Sequence, residues 1–324
     1  MTVCAPPTSA KRSRADAVIV RLSSPGRISS GAVSLIGAGI LWGTGGITGR
    51  GLTDAAHLSG LAVGAYRLGL GGGLLVVVLL VSGLQPPHGG PGWRRIAAVG
   101  TLAAVYQGAF FSAVALSSVS LSTLVAIGSS PVFVLLYEAC AQRRWPSRRA
   151  GLVVLLAIVG LALLVGLPAN RSDPGRQFAA AGLAALSGAT FAAFVLLGRR
   201  PLVGVDHRTV TGYGFLLGGI GLALVAAPLQ GMSFRPTADT FGLLVFLAVV
   251  PTAIAYTLFF RGLPSVTASS ATVIALLEPL TGTLLAIALL GDRLSPAGIV
   301  GGVLLGVSIA ASIPRVDAVI DLPG

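Results

Sequence analysis

One ionisable side chain interrupts the apolar run IALLEPLTGTLLAIALL from Ile274 to Leu290: Glu278, followed at once by Pro279. A carboxylate held at such a place can be neutral at one stage of a cycle and charged at another. The proline beside it removes a backbone donor and leaves carbonyls free in the preceding turn. Together they supply the chemistry of a proton or cation site; the structural alternative is a permanently neutral Glu278 bonded to a neighbouring helix. Arg67 is the second charge of this kind, about seven residues inside another apolar run. Its guanidinium cannot be neutralised at that depth. It either faces a cavity, where it would attract a substrate carboxylate or pair with an acid, or it extends its charged head along its methylene stem to the surface. Trp42, Thr44, Tyr66, Tyr106, Gln107 and Tyr256 each join a polar tip to an apolar body and are candidates to line the same pathway. Pro131 and Pro251, like Pro279, fall inside apolar runs, where they would bend helices. Glu138, a few residues before Arg143 and Arg144, is expected to form an ion pair with them at the surface.

Other chemistries lack their residues. His57, His88 and His207 fall in predicted loops, and no HExxH or GxSxG occurs, so an intramembrane enzyme has neither a metal nor a nucleophile and base at depth. Cys4 and Cys140 have no metal-type spacing. No cofactor is implied. A channel would need charged rings or a filter-like loop, and neither is legible.

The medium follows from composition. Of 324 residues 54% are hydrophobic and 10% charged, with a mean hydropathy of +0.90, against about 25% charged in an ordinary soluble domain. The chain is all-α and integral to the membrane. A net charge of +12 does not point to nucleic acid, because the basic residues sit between apolar runs instead of on one aromatic-laced face. Ten runs, each near the roughly 20 residues a bilayer core requires, occupy about 32–49, 60–82, 95–116, 119–141, 150–167, 178–198, 209–229, 239–260, 265–290 and 295–313. Residues 1–30 read as a basic, disordered cytoplasmic tail and 314–324 as a second cytoplasmic tail. Only SSVS separates the third and fourth runs, and a single long helix is the alternative there.

Charge tests the count, since cytoplasmic loops carry the excess of Lys and Arg. With the N-terminus inside, 16 of the 22 basic residues fall on the inner side and five on the outer, with Arg67 alone within a span. Merging the third and fourth runs would invert every later loop. Both termini of this multi-pass protein are therefore expected in the cytoplasm.

The chain also repeats. SSVSLSTLVAIGSSP, ending at Pro131, resembles PSVTASSATVIALLEP, ending at Pro279, and AGLVV at Ala150 echoes AGIVG at Ala297. The repeat unit is five spans, 31–168 and 177–313. Five is odd, so the second copy enters from the opposite side, an inverted repeat of the kind that builds secondary transporters around a midplane site.

With this layout, LEP at Leu277–Pro279 followed by LLGDRLS at Leu289–Ser295, and LWGTGGITGR in the first span, the chain resembles the EamA-domain exporters of the drug/metabolite transporter superfamily. Where the family pattern often carries Gly-Glu after the fourth span this sequence has QRRWPS, and the second copy has Asp292 where Glu is usual. The resemblance implies a ten-helix inner-membrane carrier that exports small metabolites, such as amino acids or related amphiphiles, driven by protons. Multidrug or lipid-like substrates compete within the same class. Its partners would be a small-molecule substrate, protons and the lipid bilayer; whether it is a homodimer the sequence leaves open.

Overall fold

Nine of the ten long helices among the described residues start at a Ser, Thr or Asp whose side chain accepts a hydrogen bond from the first turn. Each such cap is worth about 1 kcal/mol. In the computed structural model, which describes residues 27–84, 86–87, 89–166, 173–200, 202 and 204–316, the helices are α1 (Ser30–Ala56), α2 (Gly60–Val81), α3 (Gly90–Leu116), α4 (Val119–Gln142), α5 (Arg148–Val165), α6 (Pro174–Gly198), α7 (His207–Gln230), α8 (Ala238–Ser265), α9 (Ala268–Leu290) and α10 (Pro296–Ser312). The exception, α3, starts after Gly89 with a proline in its first turn, where the missing donor costs nothing. The first nine are long and apolar enough to cross a membrane, and α10 is a shorter apolar helix.

The expected spans thus stand, with differences at their ends. The first runs on to Ala56, carried by the helix-forming sequence LTDAA and an exposed Arg50–Asp54 pair at 3.9 Å, and stops at His57 in the left-handed region. The third and fourth spans are separate helices: Ser117, at φ −137° and ψ −103°, breaks the chain, and Ser118 caps α4. His207 is the first residue of α7 instead of a loop residue. Of the expected N-terminal tail, residues 1–26 lie outside the described residues, as do most of the second tail and His88. Residues 27–30 are ordered: Arg27–Ile28 pairs antiparallel with Arg315–Val316, and Ser30 begins α1. That pairing puts both ends of the described chain at one end of the bundle, as an even number of crossings requires.

The packing respects the two copies. Helix α1 lies on the second half of α9 and α6 lies on α4, while α2 packs against α7 and α5 against α10. The same residue makes the matched contacts. A Cβ on Gly39 would stand 2.7 Å from Leu277 Cβ and 3.2 Å from the Ile274 carbonyl, and one on Gly188 would meet Ser129 and the Ala126 carbonyl, the counterparts of Leu277 and Ile274 in the repeat; Gly43, one turn after Gly39, continues the seam against Thr281 and the Glu278 carbonyl. Glycine here lets two backbones approach to a distance that any side chain would forbid. Between α5 and α10 the close approach is made by Gly301 against Gly160 and Leu164.

One large apolar core fills the end that carries the termini, through residues such as Leu35, Phe260, Leu263, Val266 and Ala268, and reaches through Trp42 and Tyr256 to Leu161 and Leu164 near the far end of α5. Toward the other end it gives way to three smaller clusters. Helix α9 shows the change along its own length: Ala271–Leu276 are all buried, and none of Leu277–Leu290 is.

A charged and aromatic mid-membrane site

Helix α9 is broken where the sequence places its acid. The turn at Leu276 (φ −66°, ψ −4°) bonds back to Val273 and Ile274, and a new helical segment starts at Leu277. Pro279 enforces this, since it cannot donate to the carbonyl four residues earlier. Glu278 therefore stands in the first turn of a half-helix, at the positive end of its dipole. It is half-buried, about 15 Å along the helix from Ala268 at 1.5 Å per residue. Its carboxylate makes no hydrogen bond with the described residues, yet it lies within electrostatic reach of Arg67, Tyr106 and Tyr256. Four of the sequence candidates, from α2, α3, α8 and α9, are thus brought together.

Arg67 is directed inward, onto α8. Its Nε donates to Thr252 Oγ1 at 3.2 Å and a terminal nitrogen donates to the Pro251 carbonyl at 3.2 Å. The reason is local. Pro251 removes one helical donor, the segment Val249–Ile254 widens into a π-helical turn, and Thr252 Oγ1 donates to the Leu247 carbonyl at 2.8 Å. Arg67 thereby holds a turn that the proline disturbs. Two glycines make room for it: a Cβ on Gly45 would be 3.3 Å from the Pro251 ring, and one on Gly71 would be 2.5 Å from Thr252 Cγ2.

Trp42 is 2% exposed and packs edge-on to Tyr256 at 4.9 Å, tilted on Phe259 at 4.9 Å and against Phe191 at 6.2 Å. Tyr106 stacks at a tilt on Phe191 at 5.3 Å, and Phe215 meets Tyr256 at 4.5 Å. Such pairs add about 0.5–1.5 kcal/mol each beyond burial. Phe194, Phe259 and Phe260 continue the cluster toward the termini-bearing end, so aromatic rings close the space between Glu278 and that end. Beside these rings, the buried donors Trp42 Nε1 and Gln107 Nε2 make no hydrogen bond among the described residues. Leaving such a group unsatisfied costs about 1–3 kcal/mol.

Other candidates lie elsewhere. Tyr66 Oη donates to the Met232 carbonyl at 2.7 Å and its ring meets Phe234, which ties down the segment between α7 and α8. Thr44 bonds back to the Leu41 carbonyl of its own helix at 2.7 Å. Of the three prolines, Pro251 and Pro279 coincide with a π-turn and a break, whereas Pro131 lies in an uninterrupted α4. Glu138 does not pair with Arg143 or Arg144: the only ion pairs among the described residues are Arg50–Asp54 and His207–Asp206. Arg143 ends α4 in the left-handed conformation and turns the chain away, leaving Glu138 half-buried and within electrostatic reach of Arg199. Sequence reading missed Thr252, Phe191, Phe194, Phe215 and Phe259. The pair Pro251-Thr252 and the three-residue spacing of Phe191 and Phe194, which puts both on one helix face, were the available signals.

A polytopic helical bundle built from two similar five-helix copies, with a charged and aromatic site at their centre, has the architecture of a secondary transporter. The EamA-like transporter family matches residues 29–166 and 179–313, which contain α1–α5 and all but the first turn of α6–α10, and the chain belongs to that family. It is 29% identical over 282 residues to the uncharacterized transporter YwfM of Bacillus subtilis (strain 168), covering 86% of this chain and 92% of the relative. Over 236 residues it is 27% identical to protein PecM of Dickeya dadantii (strain 3937), covering 70% and 76% of the two chains. A crystal structure shares the fold with a TM-score of 0.73 at 21% identity, over 88% of this chain and 97% of that one.

Proposed function

We propose that this transporter exports small metabolites, amino acids or related amphiphiles, in exchange for protons, across the cytoplasmic membrane with both termini in the cytoplasm. The observation that carries the reading is the carboxylate of Glu278, at a helix break near the midplane, unbonded, and within reach of Arg67, Tyr106 and Tyr256. A charge placed there costs about 2.5–3.5 kcal/mol on insertion scales, which a purely structural role would not recover without a hydrogen-bonded partner. The unpartnered donors of Trp42 and Gln107 supply polar contacts, and the rings around Trp42 supply an apolar wall, which together suit an amphiphile. The 16-to-5 division of basic residues supports the orientation. The two five-span copies then form an inverted repeat, whose rocking exposes the site to one side at a time.

In the cycle, Glu278 takes up a proton from the outside and releases it to the cytoplasm as substrate binds. Uptake into inside-out vesicles, with a metabolite panel and a pH-gradient readout, tests this. Glu278→Gln keeps the shape and should bind and exchange substrate while losing transport driven by a pH gradient; Glu278→Asp should retain some coupling. If the Gln variant moves protons with substrate as the parent does, the carboxylate is structural and the driving ion binds elsewhere.

A further inference from the structure

The end of the bundle that carries the termini holds a cavity of about 410 Å³ between α3, α6, α7 and α8. Its polar side is formed by Arg95, Arg199, Arg200 and His207, and its apolar side by residues such as Val99 and Phe260. Three arginines face one wall carboxylate, so the positive charge there is only partly offset by the described residues. Asp206, the acid in the wall, accepts from the Arg208 amide at 2.8 Å and pairs with His207 Nδ1 at 3.3 Å. Glu138 is within reach of Arg199 but forms no ion pair with it. Arg95 donates to the Leu197 carbonyl at 2.7 Å and to the Arg200 carbonyl at 2.5 Å, and Arg200 donates to Tyr137 Oη at 2.7 Å. These bonds hold the guanidiniums in place without cancelling their charge. Arg199 Nε is buried and makes no hydrogen bond among the described residues.

The depth of the cavity is marked by a neighbouring aromatic pair. Trp93, 44% exposed on α3, meets Tyr213 of α7 edge-on at 5.8 Å, and these residues lie two and three positions from Arg95 and Val210 in the cavity wall. Exposed Trp and Tyr on membrane helices sit at headgroup level. We propose that this cavity binds the headgroup of an anionic phospholipid, with its phosphate among the arginines and its glycerol end against Val99 and Phe260. Basic pockets between membrane helices are suited to such headgroups, and the volume is in the range of small-molecule sites, about 300–1,000 Å³. Such a lipid would bridge α3 of the first copy and α6–α8 of the second. The inference is independent of the substrate and of proton coupling.

The test is native mass spectrometry of the full chain released from detergent after incubation with phosphatidylglycerol or phosphatidylcholine. The parent should retain phosphatidylglycerol preferentially, and Arg199→Ala with Arg200→Ala should weaken that retention by about fivefold per arginine. Arg199→Lys with Arg200→Lys and Tyr137→Phe should keep it. Arg199→Gln alone decides the matter if the double alanine variant does not fold. Arg94 is exposed and outside the cavity wall, so Arg94→Ala should also keep the lipid; an equal loss there would reduce the effect to diffuse surface attraction and overturn the site. Equal retention of both lipids would overturn it too, and displacement by millimolar glycerol phosphate would assign the cavity to a soluble phosphoester instead.

Discussion

The contact between α1 and the Glu278 segment can be perturbed by a single methyl group. A Cβ at Gly43 would lie 2.6 Å from Thr281 Cβ, 2.9 Å from the Glu278 carbonyl and 2.9 Å from the Gly282 nitrogen. Two of those three atoms are backbone and cannot rotate away, so α1 and α9 must separate by most of an ångström to reach ordinary contact. Overpacking of this kind costs about 1–3 kcal/mol. Alanine also improves helix propensity by about 0.5–1 kcal/mol over glycine, which would obscure the packing cost in a single measurement. Gly46, on the same helix and with nothing within 4 Å of its Cβ position, supplies the matched control. Gly43→Ala should be less stable than Gly46→Ala by the packing term alone, about 1–3 kcal/mol, in equilibrium unfolding from mixed micelles. In vesicle uptake, Gly46→Ala should match the parent. Gly43→Ala should fall by about tenfold or more, since displacing a reacting group by about 1 Å costs about a hundredfold where geometry is limiting. Equal stability and equal transport of the two variants would refute the placement of α1 on the Glu278 turn.

Arg67→Ala removes both donors to the π-turn and should lower stability by about 1–3 kcal/mol; Arg67→Lys should not restore it, because an ammonium lacks the two-point geometry. Full stability and unchanged transport of Arg67→Ala would leave the clasp without a role. Thr252→Val deprives the Leu247 carbonyl and Arg67 Nε of one hydroxyl and should reproduce part of the Arg67→Ala loss in unfolding titrations, with less than additive effects in the double variant. Trp42→Phe keeps the ring stack but deletes the unpartnered Nε1; it should leave folding intact, as read by melting temperature, and weaken substrate affinity if that donor binds substrate. Reporter fusions at Leu322 and near Ser172 should report opposite sides of the membrane, and finding both on one side would sink the ten-span topology.

Periodicity and composition were enough for the membrane class, the helix count and most helix starts, because hydrophobic length and capping are local properties of the chain. SSVS at Ser117–Ser120 is a clear case: charge topology required a break there, and a Ser cap provides it. The two copies of five spans were legible for the same reason, since matched prolines and small residues recur in register. Glu278 and Pro279 announced themselves as an intramembrane acid and a missing donor.

What the sequence could not determine was which side chains meet. Arg67 could have reached the surface or the interior, and the decision rests with Gly45, Gly71 and the π-turn at Pro251, on two other helices and on Arg67's own, far apart in sequence. Tyr66, one residue before it, leaves the site because a 100° rotation per residue aims it at Met232. The loss of the Glu138 ion pair came from a left-handed turn at Arg143 that no propensity demands of arginine. Local pattern determines whether a segment is a helix and how deep it lies. The partner of each face depends on where two glycines let backbones close, and that is decided only when all ten helices pack together.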